Sequence, residues 1–378
     1  MELAQSPDEA KSLRFSIQSV KVEYYRIPLA ETLMDAGHGP HTHFELILCR
    51  IMGSNGIEGV GYTYTGGAGG RAIATLIEED LKPRILGRDG SAIEEIWSSM
   101  QSELHYVGRG GLLSFAISAV DIALWDMRCI AFDKPLCLVT GTAPRRVNCY
   151  AGFIDLNFSE RKLVDNAVRH IERGFEAIKT KVGHDDYRED VARVAAIREA
   201  IGPKHKLMVD ANYSMTVDKA IAFGRAIEPY DIYWFEEPIS PDEFEGYGQI
   251  ADNIRVPLAL GENFRIIEEA KRAIRYCRLG FVQPDASNIG GITGWLRVAA
   301  LARAADIAIC SHGMQELHVS LLASQPHAGW LEVHSFPIDR YTKSPLAMEA
   351  GKAIAPLAKG TGVVFDDAVL RPHLMYET

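Results

Sequence analysis

The six cysteines, Cys49, Cys129, Cys137, Cys149, Cys277 and Cys310, are scattered with no CxxC pair among them. That excludes a disulfide-stapled small scaffold and argues against a structural zinc site, so they read as reduced core thiols of a cytoplasmic protein. A basic surplus is also missing. Lys and Arg number 40 against 50 Asp and Glu, a net charge of −10, so the electrostatic footprint of a nucleic-acid binder is absent. An anionic substrate would need local cations or a metal. No apolar run is long: the longest, residues 112–120, contains Ser114 and Ser118 and meets Asp121, well short of the ~20 residues of a membrane span. Residues 1–9 lack the basic start and apolar stretch of a secretory leader. The expectation is a soluble, cytoplasmic protein with neither a nucleic-acid nor a membrane partner.

What is present is the composition of a globular chain, 47% apolar and 24% charged over 378 residues, enough for two units. Residues 18–25 and 44–49 alternate like strands, and a third strand follows the turn signal Ser54-Asn55-Gly56. Helical patterns occupy 72–82, 92–104 and 113–131. Strands followed by helices imply an α+β unit over residues 1–140. The period then changes. Short apolar strands at 147–150, 177–182, 207–209, 232–235, 258–260, 280–282, 307–310 and 330–333 alternate with amphipathic helices. Eight such strands predict an α/β fold with a (β/α)8 barrel over 141–355, capped by the first unit. Residues 356–378 are expected to return to the cap.

Marking the strongly polar residue at each strand end gives Lys181, Asp210, Glu236, Glu262, Asp285, His312 and Glu332. Their spacing of 20 to 29 residues is one strand-plus-helix unit each, which converges them on the C-terminal mouth of a barrel. Singly, each is more simply a helix cap. Asp210, Glu236 and Glu262 would repel one another in a dry mouth unless a cation neutralised them. Carboxylates without Cys or His favour a hard ion, Mg²⁺, over zinc. Glu237 competes with Glu236, because neighbours on a strand face opposite ways; Glu236 is preferred here. Lys179 and Lys181 share one face, and the barrel mouth is a better home for two ammonium groups than the helix layer. Adjacent cations lower each other's pKa, which suits one of them to act as a base. His312 and Asp285, on consecutive strands, suggest an imidazole whose tautomer a carboxylate fixes.

The set resembles the enolase superfamily, specifically its mandelate racemase-like branch. The resemblance is carried by Lys179-x-Lys181, Asp210-x-Asn212, Glu236-Glu237-Pro238, Gly261-Glu262-Asn263, Pro284-Asp285, the glycine-rich stretch from Gly290 to Gly294, Ser311-His312 and Trp330-Leu331-Glu332. Asp121-Ile122-Ala123-Leu124-Trp125-Asp126 is similar to the branch's helix before the barrel. A Lys or His base working with Mg²⁺ is a known feature of that superfamily. The resemblance implies Asp210, Glu236 and Glu262 as ligands of one Mg²⁺, Lys181 as one acid/base and the His312–Asp285 dyad as the other. It implies that Lys179 and Glu332 contact a substrate carboxylate, that Asn212 contacts a hydroxyl or carboxylate, and that the protein is a homo-oligomer, from dimer to octamer. The cycloisomerase-type branch carries a second catalytic lysine on the sixth strand. Val282-Gln283-Pro284-Asp285 stands there instead, which disfavours that branch.

Members of the superfamily begin by removing a proton α to a carboxylate. A β-hydroxyl can then leave as water; without one, reprotonation gives racemisation. The cap decides, and its loops at 34–43 and 62–71 are rich in glycine, hydroxyl and imidazole groups, with no apolar cluster for a phenyl ring. The stretch from Tyr64 to Arg71 is similar to that of talarate/galactarate dehydratases, sharing Ala68-Gly69-Gly70 but carrying Gly66-Gly67 where those have basic residues. Dehydration of an acid sugar, an aldarate or an aldonate, is therefore expected, with Tyr64, Arg71 and His38 contacting the substrate and Arg71, His38, His41 or His43 meeting a distal carboxylate. Epimerisation or racemisation in the same branch, and a catalytically silent sugar-acid-binding barrel, are the alternatives.

Overall fold

The computed structural model describes residues 14–141 and 144–378; the leader reading of residues 1–9 lies outside the described residues. The chain opens with three strands, β1 (Ile17–Asp35), β2 (Gly39–Gly53) and β3 (Glu58–Thr65), paired antiparallel in that order. Val20 and Val22 of β1 are buried while Ser19 is exposed and Lys21 partly exposed, the alternation of a sheet covered on one face, and from Val22 to Tyr25 both faces are buried. The covering element is the helix Leu112–Ala131. It lies so close to β3 that a Cβ on Gly59 or Gly61 would sit 2.3 Å from the Ala123 carbonyl oxygen or 2.0 Å from that of Ala119. Only glycine fits at those two positions.

Two details differ from the expectations. The stretch read as a cap loop at 34–43 is mostly paired: β1 runs to Asp35 and β2 starts at Gly39, leaving a tight turn at 36–38. The helix read over 72–82 is Gly70–Thr75, then a π-helical Leu76–Leu81, then Lys82–Ile85. Pro83 has no N–H to donate to the preceding turn, which disfavours regular α pairing there.

The barrel strands are β4 (Val147–Gly152), β5 (Ala177–Lys181), β6 (Lys206–Asp210), β7 (Ile232–Glu236), β8 (Leu258–Leu260), β9 (Phe281–Val282), β10 (Ala308–Ile309) and β11 (Trp330–Val333). They run parallel, β4 to β10 in chain order, with β11 beside β4 and an Ile309–Ala328 bridge completing the ring. A hairpin of β12 (Ala347–Glu349) and β13 (Lys352–Ile354) adds to β4, and β14 (Leu374–Glu377) pairs with β1 of the cap sheet.

Side chains inside the barrel stack in layers two residues apart. Tyr150, Ala177, Met208, Trp234, Ala259, Cys310 and Trp330 form one buried apolar cluster. Two residues further along the same strands come Lys179, Asp210, Glu236, His312 and Glu332, so strand pleating aims them at the mouth.

Candidate active site

Asp210, Glu236 and Glu262 end β6 and β7 and follow β8, and each offers a ligand oxygen within 4.8 Å of the others. All three are buried. Glu236 is held by three donors on its two oxygens: Lys179 Nζ lies 2.6 Å from Oε1, while Trp234 Nε1 and Gln283 Nε2 donate to Oε2 at 2.9 and 3.0 Å. Burial and the neighbouring Asp210 push the Glu236 carboxyl up to about 8. Glu262 Oε2 is buried without a hydrogen-bond partner. An all-oxygen donor set, crowded negative charge and an orphaned carboxylate oxygen fit a hard divalent cation.

Glu237 is buried as well, but its φ of +39° breaks the strand alternation and turns it toward Asn263, which donates to Oε2 at 2.6 Å. The metal-fitting cluster therefore contains Glu236 rather than Glu237.

Both lysines of β5 face inward. Lys179 Nζ contacts Glu236 (2.6 Å), Glu332 (2.9 Å) and Asp210 (3.3 Å), and Lys181 Nζ contacts Asp210 at 2.5 Å. Burial and Lys179 do lower the Lys181 pKa, as the pairing of cations implies. The carboxylates of Asp210, Glu262 and Asp35 outweigh them, however, so the net shift is upward, contrary to expectation.

Across the mouth, His312 Nδ1 lies 2.9 Å from Asp285 Oδ2, and its Nε2 is 3.4 Å from Glu262. Burial would lower the His312 pKa, but Glu262, Asp285 and Glu332 carry it up to about 10. Asp285 also accepts from the Ser287 N–H at 2.7 Å and from the Tyr64 hydroxyl at 2.9 Å. Tyr64 reaches it only because residue 313 is glycine: at φ +52°, a Cβ there would stand 1.9 Å from the Tyr64 oxygen. Charge-assisted hydrogen bonds are worth ~1.5–3 kcal/mol, so Tyr64→Phe is expected to lower kcat by ~10-fold or more without unfolding the protein. An unchanged kcat would remove Tyr64 from the dyad's support.

Lys181, Asn212, Glu262, Asp285, His312, Tyr64 and His38 line one cavity of about 220 Å³ beneath the cap. Asn212 donates toward Glu262 at 3.4 Å, and its Oδ1 is buried without a partner. His38 bonds Asp35 through Nδ1 (3.2 Å) and meets the Tyr213 hydroxyl through Nε2 (2.6 Å). Arg71 is not brought to the cavity. It is exposed, with its guanidinium 5.8 Å from the Tyr376 ring, because the helix starting at Gly70 carries it outward. His43 is turned onto the Gly67 carbonyl at 3.1 Å, and His41 lies between the Gly66 carbonyl (3.2 Å) and Asp35 (2.8 Å). These two rings occupy the space that side chains at 66 and 67 would need.

Sequence reasoning missed Asp35, Arg265 and His334 on the cavity wall. His334 continues the inward ladder Trp330, Glu332, His334, so the period of two could have found it. The Phe336 N–H donates to His334 Nδ1 at 3.2 Å, which leaves the ring proton on Nε2. Burial, with His312 and the lysines nearby, pushes its pKa down to about 3 despite Glu332. It is a neutral hydrogen-bond donor.

No described helix is long and apolar enough to cross a membrane. Residues 28–141 match the mandelate racemase / muconate lactonizing enzyme N-terminal domain, and residues 162–369 match the enolase C-terminal domain-like family. A 3,6-anhydro-α-L-galactonate cycloisomerase of Streptomyces coelicolor is 45% identical, over 93% of this chain and 97% of that protein. An L-talarate/galactarate dehydratase of Salmonella typhimurium is 35% identical, over 84% of this chain and 81% of that protein. A Streptomyces coelicolor racemase solved with bound magnesium superposes with a TM-score of 0.92 at 44% identity, covering 95% of this chain and all of the other. The Salmonella dehydratase, solved with Mg and L-lyxarohydroxamate, also gives 0.92, at 31% identity over 100% and 97% of the two chains. The chain belongs to the enolase superfamily, with the mandelate racemase / muconate lactonizing enzyme type of N-terminal domain.

Proposed function

We propose that this protein eliminates the oxygen at C3 of a sugar acid after abstracting the proton at C2. The observation that carries this is the cavity lined by Lys181, the His312–Asp285 dyad and Glu262 of the carboxylate cluster, with Lys181 and His312 coming from strands three places apart around the ring. Asp210, Glu236 and Glu262 are the residues that would hold Mg²⁺, which when bound supplies positive charge for the substrate carboxylate and for the charge that builds on it. Lys179 and Glu332 orient that carboxylate, Glu332 itself accepting the Gly313 N–H at 2.9 Å. Asn212, Tyr64, His38 and the neutral donor His334 bind hydroxyls. With the cluster's negative charge neutralised, the upward pull of Asp210 and Glu262 on the Lys181 pKa weakens, while burial and Lys179 still lower it against the remaining Asp35, in the direction useful for a base.

Of Lys181 and His312, one takes the C2 proton. The C3–O bond then breaks, the departing oxygen takes a proton from the other, and the enol becomes a 2-keto-3-deoxy acid. A free C3 hydroxyl leaves as water, making the enzyme a dehydratase of an aldonate or aldarate, a hydro-lyase.

A second reading follows from the 45% identical cycloisomerase. In a 3,6-anhydro sugar acid the oxygen on C3 is a ring ether, and the same bond cleavage leaves it on C6 as a hydroxyl. The product is then an isomer, and no lysine on the sixth strand is required. Division into a cap over 1–140, a barrel over 141–355 and a returning segment over 356–378, assembled as a cytoplasmic homo-oligomer, completes the proposal.

Mg²⁺-loaded enzyme incubated with 3,6-anhydro-α-L-galactonate, galactarate, L-talarate and arabinonate tests it. A 2-keto acid is expected, and its mass separates water loss from ring opening. Inversion at C2 without any 2-keto acid would make the protein an epimerase instead, and no turnover of any acid would leave a binding barrel.

A further inference from the structure

We infer that His318, which lies outside the cavity, is the positioning residue of the His312–Asp285 dyad. The inference rests on the acid/base reading of that dyad given above. His318 sits in the helix Gln315–Ala323 and is fully buried. Its Nδ1 is 2.7 Å from the carbonyl oxygen of Gly313, the residue after His312. Its Nε2 is 3.0 Å from the N–H of Ala286, the residue after Asp285. A carbonyl can only accept and a backbone N–H can only donate, so the two contacts independently fix the same tautomer, with the proton on Nδ1. Burial draws the ring toward its neutral form, as that tautomer requires. With one nitrogen donating and the other accepting, the ring has no proton to exchange with a substrate, and it is absent from the cavity wall.

Its place in the barrel explains why such a brace is needed. The β9–β10 ladder is only two residues long, Phe281 with Ala308 and Val282 with Ile309. One further backbone bond, Cys310 N–H to the Val282 carbonyl at 2.8 Å, extends it toward the mouth. His312 and Asp285 both lie beyond that point, on connections no longer paired as strands. Gly313 and Met314 have φ of +52° and +41°, so the chain turns sharply directly after His312. The imidazole of His318 spans the two connections and sets the distance over which His312 Nδ1 meets Asp285. The Trp295 indole, donating to the Pro284 carbonyl at 3.1 Å, backs the same wall. Glu332 is drawn in as well, through the Gly313 N–H.

The test compares His318→Phe, His318→Asn and His318→Gln with His312→Asn, using 3,6-anhydro-α-L-galactonate and galactarate as probes. Asn keeps a donor near the Nδ1 position, for Gly313; Gln keeps an acceptor near the Nε2 position, for Ala286. His318→Phe is expected to lower kcat by ~10²-fold, the size of effect that an ångström of misplacement produces. KM and Mg²⁺ affinity by calorimetry should stay within ~3-fold, since uniform binding is untouched. Deuterium exchange at C2 should be lost on the His312 face and kept on the Lys181 face, a split that a general loosening of the fold would not give. Asn and Gln should each recover part of kcat. A folded His318→Phe enzyme with wild-type kcat overturns the inference, and so does equal loss of exchange on both faces. If the Phe variant fails to fold, wild-type kcat in both Asn and Gln variants overturns it, because each has lost one arm of the bridge. Wild-type turnover by His312→Asn would instead overturn the acid/base reading itself.

Discussion

Glu236→Gln is expected to abolish turnover and to weaken Mg²⁺ binding by ~10²-fold or more, beyond the 10–100-fold typical of losing a group that merely supports a metal ligand. The amide keeps the shape of the side chain but not its charge. Lys179 donates to one carboxylate oxygen and Trp234 and Gln283 to the other, so the amide nitrogen must face a donor on one side and the change removes at least one of these contacts together with the negative charge. Isothermal titration of EDTA-stripped protein with MgCl₂ reads the affinity directly. Glu237→Gln is the control: that carboxyl is equally buried, but its contact is Asn263, and Mg²⁺ affinity should fall far less. The reverse order would make Glu237 the ligand. Full activity in stripped protein would end the metal hypothesis.

The inward ladder explains why so much of this site was legible. On most barrel strands an apolar residue faces in, and the next inward position, two residues on, is polar; Tyr150 and Ala259 are instead followed by Gly152 and Gly261. Ala177 leads to Lys179, Met208 to Asp210, Trp234 to Glu236 and Trp330 to Glu332. A period of two plus a chain of βα units is enough to predict convergence. Glu262 breaks the ladder, since Gly261 holds the inward position after Ala259, and its φ of +153° places Glu262 at the cluster. Spacing alone found it; alternation would not have.

The cap resisted because its partners lie far away in sequence. Tyr64 owes its place to a glycine at 313, and His38 to a tyrosine at 213. Arg71 looked like a ligand for a distal carboxylate because it ends a glycine-rich loop, yet the helix begins one residue earlier and turns it away. Side-chain direction at a loop-to-helix junction follows from helix phase, which loop composition does not encode. The same limit applied to Glu236 and Glu237, where a left-handed backbone at 237 buries both neighbours. Strand alternation offers no warning of that.

Replacing either member of the acid/base pair should be nearly as damaging as removing the metal. Lys181 comes from β5 and His312 from the connection after β10, so substrate held on the carboxylate cluster has one proton-transfer group on each side. Elimination needs both, one to take the C2 proton and one to protonate the departing oxygen, whichever face the substrate presents. A positioned acid or base typically contributes ~10²–10⁴-fold, so Lys181→Ala and His312→Asn are each expected to lower kcat by that amount. Abstraction alone needs only one of them. At least one variant should therefore still wash deuterium from D₂O into C2 while forming no 2-keto acid, and the configuration at C2 that exchanges identifies the surviving base. His312→Asn retains a group able to hydrogen-bond Asp285, so loss of activity there reports loss of proton transfer rather than collapse of the wall. Retention of wild-type dehydration or ring opening by a folded, Mg²⁺-loaded His312→Asn enzyme would make the dyad structural and the two-sided mechanism wrong.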